Sequence, residues 1–322
     1  MTHDSHYRED LLKNGFEQLL IPLADDYEGS ASATLVRRKT ETGSGKAVLY
    51  VHGFNDYFFQ EEMAYRFNQQ GYHFYAIDLR KYGRSYLPHQ KFNDIRDLKT
   101  YYEEIDKALA IIHVEHNNRV ILLGHSTGGL ILTLYAKDHP DSRFFDGLIL
   151  NSPFYVLNKS RFVRMLLPLV SLIGGLFPTI TIAGGFSEEY GKSIHRSFDG
   201  EWDYNLAWKP HLAPKVNVGW LRAIYQGQKE LKTPFPIDKP VLVLHSDKSV
   251  HDFSAMRQLH TRDAILNIKD IDRIARHIVG NVEITTIEGG LHDLFLSARP
   301  VREKVYASLF SWLGRMYGDI SN

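Results

Sequence analysis

Gly124-His125-Ser126-Thr127-Gly128 is the stretch on which the reading of this chain turns. It follows the apolar run Arg119-Val120-Ile121-Leu122-Leu123 and precedes Gly129-Leu130-Ile131-Leu132-Thr133-Leu134-Tyr135-Ala136, whose composition is helical. Strand, sharp turn and helix together form the context of a nucleophile elbow, which holds a serine on a strained turn with its hydroxyl exposed. Glycines two before and two after the serine relieve crowding where the chain reverses. The backbone N–H of Thr127, at the helix start, would face a developing oxyanion.

Outward from this turn, strands and helices alternate. Upstream, Ala47-Val48-Leu49-Tyr50-Val51 is a continuous apolar run of buried-strand type that ends in His52-Gly53-Phe54-Asn55-Asp56. A helix from about Gln60 to Gln70, a strand from Tyr72 to Ile77 and the polar loop Asp78-Leu79-Arg80-Lys81-Tyr82-Gly83-Arg84-Ser85 follow. A long amphipathic helix is predicted over Asp94–His116. Downstream come strand Gly147–Leu150, strand Val241–Leu244, helix Asn267–Val279, strand Val282–Ile287 and helix Val301–Tyr317. At the amino end, Tyr7–Asn14 reads as a short polar helix. Phe16–Leu23 and Ala31–Arg38 read as a hairpin. The expectation is an α/β fold with a mostly parallel sheet of about eight strands, helices on both faces.

The alternation lapses between Ser152-Pro153 and Lys239-Pro240, where no buried-strand signal occurs. A structureless loop of that size is improbable in a compact domain. The segment holds the apolar stretch Met165–Phe177, the glycine-rich Ala183-Gly184-Gly185-Phe186, and Trp202, Trp208 and Trp220. Residues 153–236 are therefore expected to form an inserted helical cap, with 1–152 and 237–322 as the core.

Composition narrows the function classes. Lys+Arg and Asp+Glu number 38 each, so bulk charge argues neither for a nucleic-acid partner nor for an anionic membrane. With no cysteine, disulfides, thiolate metal sites and cysteine nucleophiles are excluded. The polar start Met1-Thr2-His3-Asp4-Ser5-His6 shows no signal peptide, and the expected location is cytoplasmic. Met165–Phe177 is broken by Pro168 and Gly174-Gly175 and is too short to span a bilayer. No metal site is visible: His113 and His116 lie three apart with no third ligand and no H-E-x-x-H pattern. The turn at Gly124–Gly129 lacks the lysine of a phosphate loop.

A serine hydroxyl needs a base, and the base needs an orienting group. Around such an elbow the chain order is serine, acid, histidine. Of 16 histidines, His292 stands just past a predicted strand in Glu288-Gly289-Gly290-Leu291-His292-Asp293, and active-site groups gather at the carboxyl ends of parallel strands. Two acids compete. One helix, one strand and short connections should separate acid from histidine by roughly 25–30 residues. Asp263 lies 29 residues before His292 and Asp247 lies 45, so Asp263 is favoured and Asp247 is the alternative. Asp263 also leads directly into a helix, with Asn267 as its N-cap. Asp238 precedes its strand, at the wrong end of the sheet, and Asp293 reads as structural. The second oxyanion donor is expected from the loop after Ala47–Val51, with the Phe54 N–H as donor and His52 as a brace.

With these residues in place, the chain resembles the α/β-hydrolase-fold serine hydrolases. More narrowly, it resembles the branch that holds monoacylglycerol lipases, lysophospholipases and serine aminopeptidase-like hydrolases. His52-Gly53-Phe54, the Asp78-Leu79-Arg80 … Gly83-Arg84-Ser85 loop, the Gly124–Gly128 elbow and the His292 loop carry the resemblance, and Asp263-Ala264-Ile265-Leu266 resembles the branch's acid motif. It covers roughly residues 45–153 and 239–317. In the branch the acid follows its strand within a few residues, whereas here an excursion from Ser246 to Arg262 intervenes. The resemblance implies hydrolysis of an acyl ester through an acyl-enzyme, with no cofactor. In that scheme Ser126 attacks, His292 moves the proton, Asp263 orients it, and the Phe54 and Thr127 N–H groups hold the oxyanion. The partner expected is a small-molecule acyl ester, with transient lipid or membrane-surface contact through the cap.

Two other functions compete. An aminopeptidase on the same fold needs cap acids for the substrate amine, and Glu188-Glu189 and Glu201 with Asp203 are candidates. A non-catalytic ligand-binding homologue would be expected to lack a member of the serine–acid–histidine set, and none is lacking.

Overall fold

The computed structural model describes residues 6–42, 45–182, 188–250, 253 and 255–318. The strands are β1 (Arg8–Glu9), β2 (Glu17–Asp26), β3 (Gly29–Arg38), β4 (Lys46–Val51), β5 (His73–Asp78), β6 (Arg119–His125) and β7 (Gly147–Asn151). The two-residue β8 (Thr181–Ile182), β9 (Val216–Asn217) and β10 (Phe235–Pro236) follow, then β11 (Val241–Ser246), β12 (Ile278–Val279) and β13 (Val282–Ile287). The helices are α1 (Glu61–Gln69), α2 (Tyr102–Val114), α3 (Thr127–Asp138), α4 (Arg161–Leu176), α5 (Glu188–Ile194), α6 (Val218–Glu230), α7 (Met256–Leu259), α8 (Ile268–Ala275) and α9 (Arg299–Tyr317).

One sheet of nine strands, in the order β1-β2-β3-β5-β4-β6-β7-β11-β13, organises the molecule. Pairings from β5 through β13 are parallel, and those that attach β1, β2 and β3 are antiparallel. The parallel strands read as unbroken apolar runs because both faces are covered. Along β4, Ala47, Leu49 and Val51 enter one core and Val48 and Tyr50 the other, and β6 divides its residues in the same way. One core takes Met63 and Phe67 of α1 with Leu309 and Trp312 of α9; the other takes Ile105 and Leu109 of α2, Leu130 and Leu134 of α3, and Ile271 of α8.

Four expectations change. Tyr7–Asn14 is not a helix: Arg8–Glu9 is the ninth, edge strand, and the chain then turns through Lys13 and Asn14 at φ 55° and 48°. Asp10 is buried by its ion pair with Arg84 at 2.7 Å, a tertiary contact that overrides local helix preference. The helix expected from Asp94 begins at Tyr102 after a 3-10 turn at Leu98–Tyr101, because Asp94 accepts a 2.9 Å hydrogen bond from the Tyr27 hydroxyl. The helix after Asn267, whose side chain caps the Lys269 N–H, stops at Ala275, and Ile278–Val279 pairs in parallel with Phe235–Pro236. The terminal helix starts two residues early, with Pro300 in its first turn, where its missing N–H costs nothing.

Between β7 and β11 the chain forms α4, α5 and α6 and the short β8–β9 pair. The Ala183–Phe186 stretch lies outside the described residues, as do parts of the Ser246–Arg262 excursion. None of the described helices is long and apolar enough to cross a membrane.

Candidate active site

β4 and β6 are neighbours in register, Val51 beside Gly124, so the loop after β4 comes to lie against the turn after β6. That turn is strained. Ser126 has φ 51° and ψ −112°, a left-handed φ that L side chains rarely take and that recurs at functional sites. Only glycine fits around it: a Cβ on Gly128 would lie 2.2 Å from the Val51 carbonyl oxygen, and one on Gly124 2.8 Å from Gly128 backbone atoms. The Ser126 N–H donates to the Asn151 carbonyl at 3.0 Å, and its carbonyl accepts from Leu130 at 3.1 Å and Phe154 at 2.9 Å. Held in this way, the hydroxyl lies 2.9 Å from Nε2 of His292.

Nδ1 of His292 lies 3.0 Å from Oδ2 of Asp263. These partners assign the proton to Nδ1 and leave Nε2 to accept from the serine. The other oxygen of Asp263 accepts the N–H groups of Ile265 at 2.8 Å and Leu266 at 2.7 Å, which fixes the carboxylate from behind. Ser126, Asp263 and His292 are all buried. Asp247 stands apart. It accepts the Gly289 N–H at 2.9 Å and pairs with Lys248 at 3.1 Å, so it braces the base of the histidine loop. Partial burial pushes its carboxyl up, but the Gly289 N–H and Lys248 together outweigh it and hold the group below the ordinary range. The excursion before Asp263 is pinched at its base. Asp263 N–H donates to the Lys248 carbonyl at 2.9 Å and Val250 N–H to the Asp263 carbonyl at 2.8 Å. Asp263 therefore stands beside the end of β11 despite its distance along the chain.

The two backbone groups expected to meet an oxyanion flank the serine. Thr127 is the first residue of α3, so its N–H lies ahead of the first intrahelical bond. Phe54 lines the same cleft, and a Cβ on Gly53 would lie 3.1 Å from that of Ser126. His52 accepts the Leu79 N–H at 3.0 Å, and burial pushes its imidazole pKa down, so it is a neutral brace. The Asp78–Ser85 loop holds this one from outside. Asp78 accepts the Phe58 N–H at 2.9 Å and pairs with Arg84 at 2.9 Å, while Arg84 also donates to the Phe58 carbonyl at 2.9 Å.

The cleft over Ser126 has a volume of about 710 Å³ and is partly open to solvent. Its lining mixes apolar side chains, among them Phe54, Phe154, Ile194 and Ile265, with a polar cluster of Asp56, His125, Lys209 and Asp293. The sequence reading missed the polar cluster, because its members are scattered through the chain. Asp56, His125 and Asp293 bring ligand-type atoms within 4.8 Å of one another, a grouping not foreseen when no metal site was read. Lys209 pairs with one oxygen of Asp56 at 2.8 Å, leaving the other buried without a hydrogen-bond partner among the described residues, and the Asn151 and Gln60 amides donate to Asp293 at 2.8 and 3.2 Å. Burial pushes the His125 imidazole pKa down, which keeps it neutral. Tyr190 of α5 closes the cleft from the inserted segment, its hydroxyl kept protonated by burial. The acids singled out between β7 and β11 do not line the cleft: Glu188 and Glu189 pair with Lys192, Glu201 with Arg302 and Asp203 with Arg196.

A parallel sheet flanked by helices, with a strained serine turn after β6 and acid and histidine loops after β11 and β13, is an α/β-hydrolase fold. A solved structure of a soluble variant of monoglyceride lipase from Saccharomyces cerevisiae, in complex with a substrate analogue, matches at TM-score 0.69 and 19% identity and covers 92% of this chain and 94% of that one. The chain belongs to the family described as Serine aminopeptidase, S33, which matches residues 43–298. It is similar to a monoglyceride lipase homolog of Monkeypox virus, 23% identical over 195 residues, which is 60% of this chain and 62% of the viral protein, less than two thirds of its length. It is also similar to phospholipase YtpA of Bacillus subtilis (strain 168), 24% identical over 265 residues, or 80% and 91% of the two chains. The family match makes the chain a hydrolase of that family, and the solved structure shares its α/β-hydrolase fold.

Proposed function

We propose that this protein is a serine hydrolase that cleaves carboxylic esters through an acyl-enzyme, on substrates of the monoacylglycerol or lysophospholipid type. The observation that carries the reading is the unbroken alignment from the Ser126 hydroxyl through His292 to Asp263, at 2.9 and 3.0 Å. In the first half-reaction Oγ of Ser126 bonds to the ester carbonyl carbon while Nε2 of His292 takes the hydroxyl proton. The negative carbonyl oxygen is met by the N–H groups of Phe54 and Thr127, each such donor being worth about 2.7–4 kcal/mol. Collapse expels the alcohol, which leaves with the proton from His292. Water then attacks the acyl-serine with His292 as base, and the carboxylic acid departs as the serine regains its proton.

The mixed lining, apolar side chains beside a polar cluster, supports an ester with an apolar acyl group and a small polar alcohol. An amine-binding peptidase is disfavoured because the cap acids are turned into surface ion pairs and the Asp56 carboxylate is paired with Lys209. The cytoplasm is the proposed compartment. Lipid contact runs through α4, where Phe162, Met165 and Leu176 are 70%, 75% and 69% exposed. A p-nitrophenyl ester series from acetate to palmitate, set beside amino-acid p-nitroanilides, tests the reading. Turnover of the esters, with the anilides far slower, is expected; the reverse order would replace an esterase by a peptidase.

A further inference from the structure

A cavity of about 800 Å³ between α4, α6 and α8, partly open to solvent, lies outside the catalytic cleft. Its floor is apolar, with Tyr155, Leu157 and Ile274, and three cations, Arg164, Lys232 and Arg273, border it. Arg164 and Arg273 share a single carboxylate, Asp270, at 2.8 and 2.9 Å. Among the described residues Lys232 pairs with no carboxylate; its ammonium lies 5.2 Å from the centroid of the Tyr225 ring. Three positive charges therefore face one negative charge, and the cavity has an unmet appetite for an anion.

The outer face of α4, on the far side of the helix from the cavity-lining Arg164 and Leu167, carries the largest run of exposed apolar side chains among the described residues. Phe162, Met165, Leu169, Leu172 and Leu176 recur at helical spacing and are 70%, 75%, 56%, 60% and 69% exposed. The opposite face is spoken for: Ser171 and Gly174 are buried, and a Cβ on Gly174 would lie 2.5 Å from the Val218 carbonyl oxygen of α6. A helix so anchored cannot turn its outer stripe inward. Leu166 and Ile173, beside the stripe, are also exposed, so the band is wider than a coiled-coil seam and lacks the flanking charges that pair two helices. From Gly147 to Ile182 the chain carries Lys159, Arg161 and Arg164 and no carboxylate. Apolar band, basic border and a helix of 16 residues fit a segment that lies in the surface of an anionic bilayer.

We infer that the Arg164–Lys232–Arg273 cavity seats the phosphate headgroup of an anionic lipid while the outer stripe of α4 lies in the bilayer surface. The inference rests on the lipid contact proposed above and is independent of the chemistry at Ser126. It is tested by sedimentation with vesicles of phosphatidylcholine alone and of phosphatidylcholine mixed with phosphatidylglycerol. The wild type is expected to prefer the mixed vesicles. Because each surface cation contributes about fivefold, Lys232→Ala combined with Arg273→Ala should weaken binding to them about 25-fold and leave binding to phosphatidylcholine unchanged. Leu169→Glu with Leu172→Glu should abolish binding to both.

Equal binding of the wild type to the two vesicles, or an undiminished preference in the double alanine variant, would overturn the headgroup assignment. So would binding of inorganic phosphate, at fixed ionic strength, without a vesicle preference, which would assign the cavity to free phosphate. A dimer in sedimentation that the glutamate variant dissolves, with no vesicle binding by the wild type, would give the stripe to a second copy instead. p-Nitrophenyl acetate turnover, followed in every sample, reports separately on the hydrolase reading and is expected to be the same in all of them.

Discussion

Ser126→Ala is expected to lower kcat for a p-nitrophenyl ester by roughly 10⁴–10⁶-fold, a barrier increase of about 5–8 kcal/mol, with the fold intact. Alanine keeps the Cβ and the backbone contacts of Ser126 with Asn151 and Phe154, so the strained turn has no reason to relax. What is lost is the one oxygen within 2.9 Å of Nε2 of His292. Residual hydrolysis would come from the oxyanion donors and from binding alone. Steady-state kinetics beside a thermal melt checks the prediction. A loss of less than about tenfold, with the melt unchanged, would remove Ser126 from the chemistry.

The second large effect separates two carboxylates. Asp263→Asn is expected to cost about 10⁴-fold in kcat, because an amide NH₂ facing Nδ1 favours the tautomer that carries its proton on Nε2, which then cannot accept from the serine. The remaining carbonyl oxygen can still accept from Ile265 and Leu266, so little stability should be lost. Asp247→Asn should change kcat only within a few-fold. Its amide oxygen can still accept the Gly289 N–H, and the lost ion pair is with Lys248, which is 61% exposed, worth about 0–1 kcal/mol. Parallel kinetics on the two variants decides the matter. A collapse confined to Asp247→Asn would reverse the assignment.

The two acids also mark how far the sequence could be read. The central strands were legible because burial on both faces leaves a short unbroken apolar run between turn signals, as in Ala47–Val51 and Val120–Leu123. Gly124 and Gly128 were legible as a turn, because their spacing around a serine between strand and helix is a local signature. Spacing and the helix that follows favoured Asp263, but they could not show that Ser249 and Asp263 bridge and so return the excursion to the end of β11. Contacts set by distant partners left no local trace. Asp10 joins Arg84 across the fold, which turned an expected helix into an edge strand. Asp56, His125, Lys209 and Asp293 meet only when three loops and the inserted segment come together. Polar residues in loops look alike in sequence whether they face solvent or a cleft.

Whether the Ser126 oxygen is the nucleophile is read by a fluorophosphonate probe followed by peptide mass analysis. One adduct is expected, on the peptide that contains Gly124–Gly128, absent from Ser126→Ala and strongly slowed in Asp263→Asn. A folded protein that turns over esters yet carries the adduct on another residue, or carries none, would contradict Ser126 as the nucleophile.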